Sequence, residues 1–128
     1  MKNLNITERR NGFITILDLD GKIRLGGDSA ELHKELRLLV EKGERKILLN
    51  MEKVSHIDSS GLGELVSGYS TLLKNGGELK LFNLSDKVHG LMTMTKLLTV
   101  FDIYENEAEA IDSFTSKSAQ SMPASSLL

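Results

Sequence analysis

The sequence predicts an α/β fold: a mixed β-sheet of four to five strands with an N-terminal hairpin, flanked by about four helices. Two observations support this class. Short apolar runs alternate with helical repeats along most of the 128 residues, a pattern typical of parallel strands joined by crossover helices. The first two runs are instead separated by Asn11-Gly12, a hairpin signal that adds an antiparallel pair to the sheet.

The hairpin takes up the start of the chain. Residues 4–9 and 13–19 are its two arms, because both alternate between apolar and polar side chains. Asp20-Gly21 indicates a break after the second arm, and residues 22–25 are expected to extend the sheet only briefly.

A first helix and the central strand follow. Asp28 or Ser29 is expected to cap the helix, with Glu31 three residues after Asp28 as in a capping box. Gly43 is expected to end it. Residues 46–51 form a continuous apolar run, which is typical of a central strand covered on both faces. The buried face of this helix carries Leu32, Leu36, Leu39 and Val40.

The second half of the chain continues the alternation. A second helix begins at residues 58–60 and is stopped by Asn75-Gly76-Gly77. The remaining predicted elements are a strand over residues 78–82, a helix opened by Ser85, a short strand within residues 98–103 and a helix over residues 105–114.

Composition predicts one domain over residues 1–114 and a disordered, serine-rich tail over residues 115–128. A net charge of −2 gives no electrostatic footprint for direct binding of nucleic acid or of an anionic membrane. Cysteine is absent, which excludes disulfides and thiol chemistry. No signal peptide and no run long enough for membrane insertion is found, so we expect a cytoplasmic protein.

The most informative motif is the junction where an apolar strand gives way to a helix, Ile57-Asp58-Ser59-Ser60-Gly61-Leu62-Gly63. Capping of the helix by Asp58 or Ser59 is the simpler interpretation of these side chains. The N–H groups and the partial positive charge of a helix start also tolerate a phosphate. A serine at this position is therefore also compatible with the role of phosphoacceptor for a protein kinase. The residues alone favour the cap and leave both interpretations open.

Catalytic and metal chemistry have little support in the sequence. The chain has three widely spaced histidines, His33, His56 and His89. None has a second ligand at metal spacing, so neither a metal nor another cofactor is expected. A serine hydrolase would use Ser59 or Ser60 as its nucleophile, but the leading glycine of the nucleophile elbow is missing. We therefore expect that the protein is not an enzyme.

Residues 54–63, Val-Ser-His-Ile-Asp-Ser-Ser-Gly-Leu-Gly, closely resemble the signature of STAS domains, in particular of bacterial anti-sigma factor antagonists. The similarity extends from about Leu4 to Phe114. It includes the apolar strand at residues 47–50 and the Gly-Gly-Glu-Leu segment at residues 76–79. On this resemblance the chain is identified as a member of that family, with a STAS-like sheet.

The resemblance implies a binding protein that is switched by phosphorylation. In such antagonists a partner that is both anti-sigma factor and serine kinase phosphorylates the first serine of Asp-Ser-Ser-Gly, which here is Ser59. The unphosphorylated antagonist sequesters the anti-sigma factor and so releases a sigma factor for transcription, and a serine phosphatase restores this state after phosphorylation. Gly61 and Gly63 would permit close approach of the helix backbone to the sheet or to a partner. The partner-binding residues that the resemblance implies are Asp58, Ser59, Ser60, Gly61, Leu62 and Gly63.

Two positions depart from the family pattern. Arg24 stands where members often carry an acidic residue, which implies a different partner surface there. Lys96 lies near the place of a glycine that is common after the third helix, which implies a change of helix cap. Within the same fold, a scaffold subunit of a stressosome-like complex or a transporter accessory is the alternative function, and a small serine hydrolase is a third.

Overall fold

The computed structural model describes residues 4–115 of the chain. The elements along them are β1 (Leu4–Asn11), β2 (Ile14–Ile23), α1 (Gly27–Glu41), β3 (Lys46–Ile57), α2 (Ser59–Lys74), β4 (Glu78–Phe82), α3 (Asp86–Met94), β5 (Asp102–Tyr104) and α4 (Glu107–Thr115). The five strands form one sheet in the order β1-β2-β3-β4-β5.

The sheet is mixed, as the sequence predicts. β1 pairs with β2 in antiparallel orientation as the predicted hairpin, and the pairs β2–β3, β3–β4 and β4–β5 are all parallel. The carboxyl ends of β2 and β3 therefore lie side by side, with Ile23 paired to Ile57. The loops that follow these two strands emerge next to each other at one edge of the sheet.

Two strands are longer than predicted. The break expected at Asp20-Gly21 is wrong, because β2 continues to Ile23 and accommodates the irregularity through two shifts of its register against β3. β3 extends beyond residues 46–51 to Ile57, because Val54 and Ile57 bury their side chains in the core.

Helix starts and stops agree only in part with the predictions. No side chain caps α1, which begins after Gly26 at φ +97°, so capping by Asp28 or Ser29 is wrong. Both residues are buried within the first turn instead. Gly43 follows the helix at φ +92°, in the predicted left-handed conformation. Ser85 caps α3 as predicted, since its hydroxyl accepts from the Val88 N–H at 3.2 Å.

Alternating side chains of the strands divide the core into two parts. One face of the sheet packs on α1, α2 and α3, for example through Leu49 and Leu81. The other face packs on α4, where Phe114 joins Ile16 and Leu48. The part of the core between the sheet and α1, α2 and α3 is the larger of the two. This part packs α1 and α2 against the sheet, and both helices begin at its carboxyl edge, where the motif lies.

The end of the described chain differs slightly from its prediction. The strand within residues 98–103 is only Asp102–Tyr104, and the last helix is Glu107–Thr115 instead of residues 105–114. The tail predicted over residues 115–128 lies outside the described residues from residue 116 onward. Over residues 4–115, no helix combines the length and apolar character needed to cross a membrane.

Candidate functional site

The Asp-Ser-Ser-Gly motif lies where β3 ends and α2 begins. Asp58 is the N-cap of α2, with an extended backbone at φ −107° and ψ −175°. Its Oδ1 accepts a hydrogen bond from the Gly61 N–H at 3.0 Å, which satisfies one of the donors at the start of the helix. The capping alternative from the sequence is thus assigned to Asp58, not to Ser59.

Asp58 also joins α2 to the neighbouring strand. Its Oδ2 accepts from the Leu25 N–H at 3.0 Å, and its own N–H donates to the Ile23 carbonyl at 3.2 Å. The bonds from Leu25 and then from Gly61 favour the carboxylate and keep the pKa of Asp58 below its ordinary value of 3.8. Through its backbone N–H and its carboxylate, Asp58 therefore holds the end of β2, the loop after it and the start of α2 together.

The two serines differ in exposure. Ser59 is the first residue of α2 and is exposed, whereas Ser60 is half-buried. Among the described residues, the Ser59 hydroxyl makes no hydrogen bond. Because Asp58 already caps the helix, the Ser59 hydroxyl is left accessible to solvent.

The glycines of the motif also differ. A Cβ atom at Gly61 would lie 2.7 Å from Cγ1 of Ile57 and 2.9 Å from Cγ2 of Ile23, so only glycine fits there. Gly63 is exposed and has nothing within 4 Å of such an atom. Close approach at Gly61 is therefore to the sheet. Leu62 is 5% exposed and belongs to the core, so Gly61 and Leu62 offer little surface to a partner.

Exposed apolar surface lies near the motif in two places, and the sequence reasoning missed both. Leu25, whose N–H is bonded to Asp58, has a side chain that is 79% exposed. A cleft of about 560 Å³ is lined by His56 and Ile57 at the end of β3 and by residues of α3, where Met94 is 81% exposed. A leucine placed between a polar residue and two glycines was the only signal in the sequence for Leu25.

The histidines do not converge. His33 on α1 pairs with Glu64 on α2, with Nδ1 and Oε1 2.8 Å apart, while His56 lies on β3 and His89 on α3. In the part of the chain that the structure describes, no group of three histidine, cysteine, aspartate or glutamate residues is placed to hold a metal ion.

The two departures from the family pattern have local consequences. Arg24 Nε donates to a carboxylate oxygen of Asp28 at 3.3 Å, so its guanidinium is attached to the first turn of α1. Lys96 adopts φ +64° just after the C-cap of α3, a left-handed conformation that glycine adopts more easily. Lys96 thus adopts the left-handed conformation that ends the helix, and the change from glycine affects the helix cap, as expected.

Comparison with known proteins places these features in a family. The family model described as STAS domain matches residues 5–110. The anti-sigma-B factor antagonist of Bacillus subtilis (strain 168) is 32% identical over 101 residues, which cover 79% of this chain and 91% of that protein. The anti-sigma F factor antagonist of Paenibacillus polymyxa is 34% identical over 65 residues, which cover 51% of this chain and only 56% of that relative.

Solved structures agree on the fold. The anti-sigma factor antagonist SpoIIAA in its unphosphorylated form matches with a TM-score of 0.68 at 21% identity, over 88% of this chain and 98% of that one. The phosphorylated form of SpoIIAA, from Bacillus, matches with a TM-score of 0.67 at 20% identity, over 86% of this chain and 99% of that one. The mixed sheet and its helices are therefore those of the matched structures.

Proposed function

The chain belongs to the STAS domain family, and from that membership we propose that it is an anti-sigma factor antagonist switched by phosphorylation of Ser59. Without phosphate it binds an anti-sigma factor that is also a serine kinase, and so releases a sigma factor in the cytoplasm. With phosphate it dissociates, and a serine phosphatase restores binding. The observation that carries the proposal is the exposed, unbonded hydroxyl of Ser59 beside a helix cap that does not need it.

Accessibility favours Ser59 over Ser60 as the phosphoacceptor. A kinase must reach the hydroxyl oxygen with its own active site, and Ser59 is exposed while Ser60 is half-buried. Modification of Ser59 also removes no hydrogen bond that the fold uses, because Asp58 supplies the cap through its Oδ1. The ATP and the phosphoryl-transfer chemistry belong to the kinase, and this chain acts by binding.

The electrostatics of the site suit a switch of binding. Phosphate adds about −1.5 to −2 charges at neutral pH. The N-terminus of α2 offsets part of that charge, by roughly 0.3–1 kcal/mol, while the neighbouring Asp58 carboxylate opposes it. The fold therefore tolerates the modification. A partner seated on Ser59 would instead have to bury a dianion, whose desolvation is costly.

The partner surface proposed here is narrower than the motif. Ser59, Ser60 and Gly63 offer accessible atoms, whereas Gly61 and Leu62 serve the fold. Asp58 contributes mainly by shaping the turn. The proposed STAS domain covers residues 1–114, which include the matched residues 5–110.

The test uses the purified anti-sigma factor kinases of the native host, each incubated with the full chain and ATP. Intact mass is expected to show one phosphate on the wild type and on Ser60→Ala, and none on Ser59→Ala. Calorimetry of the same pairs is expected to show binding by the wild type and weakening by at least about tenfold in Ser59→Asp, which corresponds to roughly 1.4 kcal/mol. Phosphate uptake that persists in Ser59→Ala contradicts the site, and failure of every kinase to bind the wild type contradicts the function.

A further inference from the structure

We propose that Leu25 is the apolar anchor of the partner surface beside Ser59 and that Asp58 is the positioning residue that holds it. The inference rests on the proposed function, because it names a contact for the same anti-sigma factor. Leu25 lies in the loop between β2 and α1, outside the Asp-Ser-Ser-Gly motif. Its side chain is among the large apolar side chains that the structure leaves mostly exposed.

The backbone that carries Leu25 is held on both sides. The Leu25 N–H donates to Asp58 Oδ2 at 3.0 Å, and the carbonyl of Arg24 accepts from the Ser29 N–H at 3.0 Å. Gly26 then turns the chain at φ +97°, a conformation that favours glycine. The apolar side chain therefore stands on an ordered loop, and a partner that buries it loses little additional backbone entropy.

Position distinguishes Leu25 from an ordinary exposed leucine, since single exposed leucines are common on protein surfaces. Its N–H is bonded to Asp58, the residue directly before Ser59, so the Leu25 backbone lies close to the proposed phosphoacceptor. The cleft lined by Ile57 and Met94 also begins two residues before Ser59 in the chain. A protein that binds over Ser59 therefore meets exposed apolar surface close by. The partner feature that fits Leu25 is an apolar pocket on the anti-sigma factor next to its kinase site.

The chain offers a matched control at the other end of the same strand. Phe13 precedes β2 and is 87% exposed, while Leu25 follows β2 and is 79% exposed. β2 has ten residues and thus separates them by roughly 33 Å. Both side chains can be truncated without opening the core, so Leu25→Ala and Phe13→Ala are expected to keep the wild-type thermal midpoint.

The first experiment measures the affinity of these variants for the anti-sigma factor that binds the wild type. Leu25→Ala is expected to raise Kd by roughly 10- to 100-fold, as for a buried anchor at an interface. Phe13→Ala is expected to stay within about twofold of the wild type. A Leu25→Ala affinity within twofold of the wild type, or an equal loss in Phe13→Ala, overturns the inference.

The second experiment tests the positioning role of Asp58 with a double-mutant cycle. Asp58→Asn retains a single acceptor oxygen, so its side chain cannot accept from the Leu25 N–H and the Gly61 N–H at the same time, and its NH2 group faces one of these two donors. Asp58→Asn alone is expected to weaken binding by roughly fivefold or more, and by less than about twofold when Leu25 is already alanine. Equal effects in both backgrounds would mean that Asp58 does not act through Leu25.

The outcomes for the inference and for the proposed function are separable. If the wild type binds and Ser59→Asp weakens binding while Leu25→Ala does not, the inference alone is overturned. If the wild type binds none of the anti-sigma factors, the proposed function fails and the inference fails with it.

Discussion

The helices α1 and α2 begin side by side at the carboxyl edge of the sheet, yet their first turns are built in opposite ways. α1 has no side-chain cap, and its serine, Ser29, is 7% exposed, with its hydroxyl 3.5 Å from the Gly26 carbonyl. α2 is capped by Asp58, and the first serine of the helix, Ser59, is exposed, with a hydroxyl that makes no hydrogen bond to the described residues.

The two helix starts differ in whether their polar side chains stabilise the fold or remain accessible to solvent. In α1 the polar side chains of the first turn are consumed by the fold, as Asp28 bonds Arg24 and Ser29 is buried. In α2 a single carboxylate performs the cap and the attachment to the neighbouring loop, which leaves the adjacent hydroxyl available for modification. The proposed modification of Ser59 therefore leaves the cap of α2 in place, because Asp58 supplies it.

The largest expected difference in stability between the two helix starts appears when a Cβ is added to the first turn of each. Gly61→Ala places a methyl group against Ile23 and Ile57, and we expect it to lower the free energy of unfolding by about 2–3 kcal/mol. Gly27→Ala meets nothing within 4 Å and is expected to change it by less than about 1 kcal/mol. Urea unfolding of the two variants measures both. Equal stability of the two would mean that α2 can move away from the sheet at little cost.

The next effect depends on the charge of Asp58. Its folded pKa is lowered, so its contribution to stability is present above the unfolded pKa of 3.8 and is lost as pH falls from there through the folded pKa. The stability difference between the wild type and Asp58→Asn is therefore expected to be full near neutral pH and to shrink below pH 3.8.

Urea unfolding over a pH series measures that difference. The pKa values of Asp18, next to Arg9, and of Glu44, next to Arg10, are also lowered. They are lowered in both proteins, so their contributions cancel in the comparison. A difference between the wild type and Asp58→Asn that stays constant with pH would show that the carboxylate charge does not hold this helix start.

The smallest effect distinguishes the two serines. Ser59→Ala is expected to change the free energy of unfolding by no more than about 0.5 kcal/mol, because its hydroxyl is exposed and unbonded. Ser29→Ala is expected to cost about 1 kcal/mol, because it removes a buried hydroxyl from its carbonyl partner. Ser59→Asp should likewise keep the wild-type thermal midpoint. A larger loss in Ser59→Ala than in Ser29→Ala would assign Ser59 a structural role.

The features that the sequence predicted well are those with local causes. The hairpin at Asn11-Gly12, the stop at Gly43 and the cap at Ser85 depend on turn and helix-end preferences of a few adjacent residues. The capping pattern also included Asp58 among its alternatives. Two other local predictions failed. Asp20-Gly21 does not break β2, because the strand stays paired with β3 to Ile23, and α1 begins without a side-chain cap, because Asp28 bonds Arg24 and Ser29 is buried.

The sequence by itself determined the order of the elements, the mixed sheet and the helix start at residues 58–60. It could do so because hydrophobic periodicity and helix-capping preferences act over short distances along the chain. Tertiary structure alone decided which residue caps, which glycine is required and which apolar side chain stands beside Ser59. The parallel pairing of β2 with β3 brings Leu25 and Ile23 to Asp58 and Gly61, more than 30 residues away in the chain. No local pattern records such a contact, since it exists only when the two strand ends meet.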